Sequence, residues 1–171
     1  MEPTTIKVRI AEFKVAPAPA LLKSYGLGSC IGVTLYDPEL RIGGLAHILL
    51  PDWGKGKPHE AAAPKNPIKY ADLALEAMRN HLLERGCAAE RLEAKIAGGA
   101  NMFSFLFSEA PAGAKPSIGD RNVRAVRDQL KRLGIPLQAE DVGGEEGRTL
   151  ELDLSTGALR VTTSRGHSRV L

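Results

Sequence analysis

The chain of 171 residues has only two cysteines, Cys30 and Cys87, far apart in the sequence. They form neither a CxxC redox motif nor a disulfide framework, and a reducing compartment would keep such thiols free. No apolar stretch approaches the length of a membrane span, and the opening MEPTTIKVRI lacks the charged and apolar regions of a signal peptide. A cytoplasmic protein with no membrane insertion is the expectation. Strong charge of one sign is also missing: the formal net charge of +3 permits an acidic partner surface without requiring nucleic acid. There is no internal repeat and no linker. A hydrophobic content of 43% is enough for one packed core, so one domain is expected across residues 1–171.

What the chain does contain is the run Ser24-Tyr25-Gly26-Leu27-Gly28-Ser29-Cys30, leading into an alternating strand from Ile31 to Tyr36. The turn Asp37-Pro38-Glu39-Leu40 follows, and then a second apolar run from Gly43 to Leu50 that carries His47. Pairing symmetric about the Pro38–Glu39 bond places Cys30 opposite His47, with Cβ atoms about 4.5 to 5.5 Å apart. A slip of one residue would send one of them to the other face. A thiol of pKa about 8.5 is mostly protonated at neutral pH, and a neighbouring imidazole can take its proton to give the attacking thiolate. Ser24 is a candidate for the group that orients the base, its hydroxyl folded back by the Gly26/Gly28 loop. Gly26, Gly28 and Ser29 are candidates for the substrate loop, where missing side chains let a substrate backbone approach closely. From spacing alone a second reading stands beside this one, with Cys30 a small buried hydrophobe, His47 a satisfied core histidine and Ser24 a turn residue.

Along the chain, Ile6 to Val15 reads as a strand ended by Pro17 and Pro19. Trp53 to Pro67, with His59, reads as a mobile loop. Ile68 to Arg85 places Ile68, Ala71, Leu75, Met78 and Leu82 on one helical face, with Gly86 suited to termination. Cys87, at that helix end, reads as structural. A strand from Leu92 to Ala97 runs into Gly98-Gly99-Ala100-Asn101, a loop read as packing, with Met102 and Phe103 re-entering the core. A second amphipathic helix uses Val123, Val126, Leu130 and Leu133 and starts near Ser117 to Asp120. Strands follow at Leu137 to Val142, around Leu150, Leu152 and Leu154, and at Leu159 and Val161, before a tail, Ser164 to Leu171, expected to fray. Helices separated by strand pairs favour a layered α+β domain over a doubly wound sheet.

Other chemistries fit less well. The glycines around Cys30 resemble a dinucleotide loop, but such a turn should open a helix, whereas a strand follows here. Cys30, His47, His59 and Cys87 have no pair at the close spacing of a structural zinc site, so no metal is expected. Arg121, Arg124, Arg127 and Lys131 recur at helical spacing and read as a solvated face, with a docking surface for an acidic partner as the alternative.

The segment SYGLGSCIGVTLYDPELRIGGLAHILLPD, followed in order by PIKYADLALEAM, KIAGGANMF, SIGDRNVRAV and DVGGEEGRTLELDLSTGALRV, resembles the CheD family, the chemoreceptor glutamine deamidases of bacterial and archaeal chemotaxis. The resemblance implies Cys30 as nucleophile, His47 as base, and Ser24 as the hydroxyl that completes the triad. The family usually has threonine at that third position; serine keeps the hydroxyl and loses the methyl that restrains the rotamer. It also implies a three-layer α/β sandwich similar to the catalytic domain of cytotoxic necrotising factors. The implied substrate is a glutamine on the cytoplasmic helical coiled coil of methyl-accepting chemotaxis receptors, converted to glutamate through a thioester without a cofactor. A non-catalytic module that binds the chemotaxis phosphatase CheC, a partner known for the family, is the alternative function. A thiol peptidase or amidase is a further competitor that the family motifs argue against.

Overall fold

The run from Ile31 to Asp37 is apolar on both faces, and a strand of that kind needs cover on both sides. It forms β4 (Ile31–Asp37), and every residue of it is buried. Ile31, Val33 and Leu35 enter one hydrophobic cluster, while Tyr36 and the preceding Cys30 enter another. The structure, a computed structural model that describes residues 2–54, 62–103 and 116–171, shows what covers each face. Residues 55–61, with His59 and the middle of the loop expected after Trp53, lie outside the described residues.

Both neighbours of β4 are antiparallel to it: β5 (Ile42–Ile48) and β6 (Glu93–Gly98). With β2 (Phe13–Pro17) beside β5 and β7 (Leu137–Val142) parallel to β6, the central sheet runs β2-β5-β4-β6-β7. One face is covered by α1 (Ala71–Glu84) and α2 (Ile118–Arg132), through Ala74, Leu75, Met78 and Leu82 from the first and Val123, Val126 and Leu130 from the second. The other face is covered by a second sheet of β1 (Thr4–Lys7), β3 (Ala20–Leu27), β8 (Arg148–Asp153), β9 (Leu159–Thr163) and β10 (Ser168–Val170), in that order. The result is a mixed α+β architecture of helices, sheet and sheet, consistent with an α/β sandwich. The two sheets close tightly over Gly32, where a Cβ would stand 2.2 Å from Leu150 Cδ1.

The helices follow the apolar spacing. The second begins where polar caps were expected, with Ser117 Oγ accepting a bond from the Asp120 amide at 3.2 Å. The first begins at Ala71 rather than Ile68, because Tyr70 is extended and bridges Leu50, and Pro67–Lys69 forms a short 3-10 turn before it.

Three expectations differ from the structure. Ile6 to Val15 is not one strand: β1 and β2 lie in different sheets, separated by a turn in which Ala11 has φ 60. Ala20–Leu27, expected as loop, is a strand with partners on both sides. Within Ser164 to Leu171, β10 pairs antiparallel with β9.

The hairpin register also differs, by two residues. His47 stands opposite Gly32, and Asp37 pairs with Ile42, so the loop is residues 38–41 with Arg41 at φ 55. Asp37 explains the shift. Its fully buried carboxylate accepts bonds from the amides of Glu39, Leu40 and Ala88, and from Arg91 Nε and the guanidinium at 2.9 Å. Burial alone would raise its pKa, but Arg91 and the three amides outweigh that and hold the carboxyl below the ordinary range. A carboxylate so placed ends the strand and starts the turn at residue 37. Asp37→Ala is expected to lower stability by about 3 kcal/mol, since it leaves a guanidinium and amides without their acceptor. Urea unfolding checks this, and a loss below about 1 kcal/mol would place the pair among ordinary surface ion pairs.

Candidate active site

His47 lies on β5, fully buried, on the face turned toward the second sheet. Its Nδ1 is 2.8 Å from Ser24 Oγ, which projects from β3 of that sheet. Ser24 Oγ is also 2.7 Å from the Val8 carbonyl oxygen. A carbonyl only accepts, so the hydroxyl hydrogen goes to Val8 and Ser24 Oγ receives the Nδ1–H of His47. That fixes the tautomer: Nε2 carries the lone pair, and it has no hydrogen-bond partner among the described residues. Burial lowers the pKa of the imidazole to about 4, so it is neutral, and basic, throughout the neutral range.

Cys30 is a free, buried thiol one residue before β4. It precedes Gly32, the residue opposite His47, by two positions, and side chains two apart in extended chain share a face. The expected pairing was direct; the observed one is diagonal. An even shift keeps both side chains on one face, and glycine at the intervening position puts no side chain beside the imidazole. Burial raises the thiol pKa, while the residue's own backbone N–H favours the thiolate. With no bond between Nε2 and the sulfur, the resting pair is thiol and neutral imidazole rather than an ion pair.

The segment leading to the thiol is tightly tied. Gly26 has φ 68 at a bulge in the β3–β8 pairing between Ser24 and Leu27. Gly28 O, Ser29 O and Cys30 O accept bonds from Ala100 N, Asn122 Nδ2 and Gly99 N at 2.9, 2.9 and 2.8 Å. A Cβ on Gly28 would stand 2.6 Å from Met102 Sδ. Met102 and Phe103 were expected to re-enter the core; both are exposed, Phe103 at 66%, because β6 ends at Gly98 and the chain turns outward past Cys30.

Asn122 and Arg148 are missing from the sequence reading and are central here. Asn122 is fully buried on α2 and donates to Ser29 O and Leu49 O. Arg148 binds Asp141, Gly98 O and Gly143 O. The signal for the first was available: Asn122 and Gln129 are amides on the apolar face of the helix, where only a specific partner justifies a polar group. Of the basic residues at helical spacing, Arg127 pairs with Glu140. Arg121 and Arg124 line a groove of about 330 Å³ with Pro51, Asp52, Ala125 and Asp128, and Ser24, Cys30 and His47 are not among its lining residues. Among the described residues no three His, Cys, Asp or Glu side chains are grouped to hold a metal, and no helix is long and apolar enough to cross a membrane.

A profile described as CheD chemotactic sensory transduction matches residues 49–163. The chain is 50% identical over 156 residues to the probable chemoreceptor glutamine deamidase CheD 2 of Geobacter metallireducens, with 91% of each chain covered. The chain belongs to the CheD family. Similarity extends to the probable chemoreceptor glutamine deamidase CheD of Desulfitobacterium hafniense, 45% over 168 residues with 97% of this chain and 98% of that one covered. It reaches the archaeal protein of the same name from Pyrococcus abyssi, 44% over 156 residues, covering 91% and 90%. The span matched by the CheD profile begins after His47, while the aligned relatives cover 91 to 97% of the chain. Ser24 is held in place by its own bond to Val8 O.

Proposed function

We propose that the chain is a protein-glutamine deamidase that converts glutamines of methyl-accepting chemotaxis receptors to glutamate, with Cys30 as nucleophile, His47 as base and Ser24 as the residue that orients it. The observation that carries this reading is the bond from His47 Nδ1–H to Ser24, which leaves Nε2 unpartnered on the face that Cys30 shares. The curated names of relatives covering nine-tenths or more of the chain supply the substrate class. The receptor's cytoplasmic helical domain is the partner, so the protein acts in the cytoplasm, and the three-layer order is the one that a likeness to the cytotoxic necrotising factor domain would require.

In this mechanism the thiol proton passes to His47 Nε2 as Sγ attacks the carboxamide carbon. A C–S bond forms and the carbonyl π pair moves to oxygen. The tetrahedral intermediate collapses with cleavage of the C–N bond, the imidazolium giving its proton to the leaving nitrogen, so ammonia departs and a thioester remains. Water, deprotonated by Nε2, attacks the thioester; the C–S bond breaks, the sulfur regains its proton and glutamate is released. Apart from the water consumed, no co-reactant is needed for the balance.

Receptor cytoplasmic fragments incubated with the protein or with its Cys30→Ala form, followed by peptide mass spectrometry, test the reading. Conversion of glutamine to glutamate by the parent alone is expected. No conversion by the folded parent across several receptors would overturn it and leave the CheC-binding module as the function to test.

A further inference from the structure

Three consecutive carbonyls before and at the nucleophile, those of Gly28, Ser29 and Cys30, are each held by a donor from the loop after β6 or from α2. A trans peptide unit is planar, with its C=O and N–H antiparallel. Wherever the Ser29 carbonyl is held, the Cys30 N–H therefore points the opposite way. That N–H lies against the Cys30 sulfur and finds no other acceptor among the described residues. An unpaired amide beside a nucleophile is where negative charge develops when the sulfur adds to a carbonyl.

The group that sets this peptide is the Asn122 amide. Its Nδ2 spends one hydrogen on Ser29 O at 2.9 Å and the other on Leu49 O at 3.1 Å, two residues past His47. One rigid side chain thus spans the nucleophile's segment and the continuation of the base's strand. The helix carrying it is seated on the same loop: a Cβ on Gly119 would stand 2.5 Å from Ala100 O and 2.6 Å from Gly99 O, which leaves α2 no freedom to withdraw Asn122. Asn122 Oδ1 is buried without a partner among the described residues. An unpaired buried acceptor is unfavourable, so packing alone does not account for an amide at this position.

We infer that Asn122 is a positioning residue: by holding the Ser29 carbonyl it aims the Cys30 N–H as the donor that receives the oxyanion during attack by Cys30. The inference rests on Cys30 being the nucleophile, as proposed above, but its test does not need the receptor. Acylation of Cys30 by p-nitrophenyl acetate forms a C–S bond, passes through an oxyanion and expels p-nitrophenolate, the thiol proton going to His47. Alkylation by iodoacetamide displaces iodide directly and develops no oxyanion.

Asn122→Asp, of the same shape but with no N–H to give, is expected to slow Cys30-dependent acylation by about 100-fold while alkylation stays within about threefold. Asn122→Ser, which buries no charge, is measured alongside in case the aspartate form does not fold, and the same change in the ratio is expected; far-UV circular dichroism establishes the fold of each. A parallel fall in both reactions, an unchanged acylation rate, or a parent whose Cys30 is not acylated would overturn the inference. A parent that is acylated with the expected dependence on Asn122 yet converts no receptor glutamine would leave the inference standing and overturn the deamidase reading alone.

Discussion

Replacing His47 with asparagine is expected to lower receptor deamidation by about 10³-fold at neutral pH, because it removes the proposed base that takes the thiol proton and later protonates ammonia. Asparagine approximates the imidazole's volume near the backbone, so the fold should survive. The pH dependence of the parent is the sharper part of this expectation. With the imidazole lowered to about 4, the acid limb of kcat/KM should fall near pH 4 to 5, well below the ordinary histidine value of 6.5. A limb centred at 6.5 would mean that the base is solvated and the buried site wrongly assigned.

The same group makes stability depend on pH, with a defined sign. A histidine whose folded pKa lies below its unfolded value favours folding while it is neutral. Its contribution is full above pH 6.5 and declines as pH falls from 6.5 toward about 4, where the unfolded chain binds a proton that the folded one refuses. Over that window the difference is on the order of 3 kcal/mol. Urea unfolding of the parent and of His47→Asn at pH 7 and pH 4.5 should show a smaller loss in the variant, since both share every carboxylate. Equal losses would remove His47 as the source.

Gly98→Ala should have the largest effect of any single methyl group added to this chain. Gly98 has φ 121, where an L side chain is strained, and a Cβ there would lie 2.4 Å from Cys30 O and 3.1 Å from Ile31 Cα. Both contacts are backbone, at Cys30 and at the first residue of β4, so nothing can step aside cheaply. A loss of about 3 kcal/mol or more is expected, along with loss of deamidation, because the residue displaced is the proposed nucleophile. Gly134→Ala is the control: its φ is 70, but a Cβ meets nothing within 4 Å, so it should cost about 1 kcal/mol with activity intact. Comparable behaviour of the two variants would show that the φ strain and not the contact with Cys30 O decides the outcome.

The parts of the fold legible in the sequence are those governed by local pattern. The alternation around Cys30 and His47 correctly put the two on one face, and the pairing error did no harm because it was even. The register itself was illegible, because it is fixed by Asp37 meeting Arg91 and the Ala88 amide, more than fifty residues away. The cap at Ser117 and the apolar spacing of α2 were readable for the same local reason. Ser24 is a candidate through a folded-back Gly26/Gly28 loop and through the CheD resemblance, but it lies on a strand rather than in that loop. Its strand becomes apparent only through long-range pairing with β1 and β8, and its partner Val8 lies in a stretch that reads as one continuous strand. Asn122 went unnoticed because an amphipathic pattern records where apolar residues fall and gives no weight to the polar exception among them.

The proposed base His47 and its orienting hydroxyl Ser24 belong to different sheets, and a single hydrogen bond of 2.8 Å joins the two side chains. The layers are kept in step by the short link from β3 to β4, by Arg148 of β8 reaching Asp141 and Gly98 O, by the Tyr36 hydroxyl on Leu154 O, and by apolar contacts such as Leu150 over Gly32. Sliding one layer past the other by a fraction of an ångström would misalign the imidazole before any strand lost its ladder. The turnover rate is thus a vernier on the fit of the two sheets, far finer than any measure of whether the chain is folded.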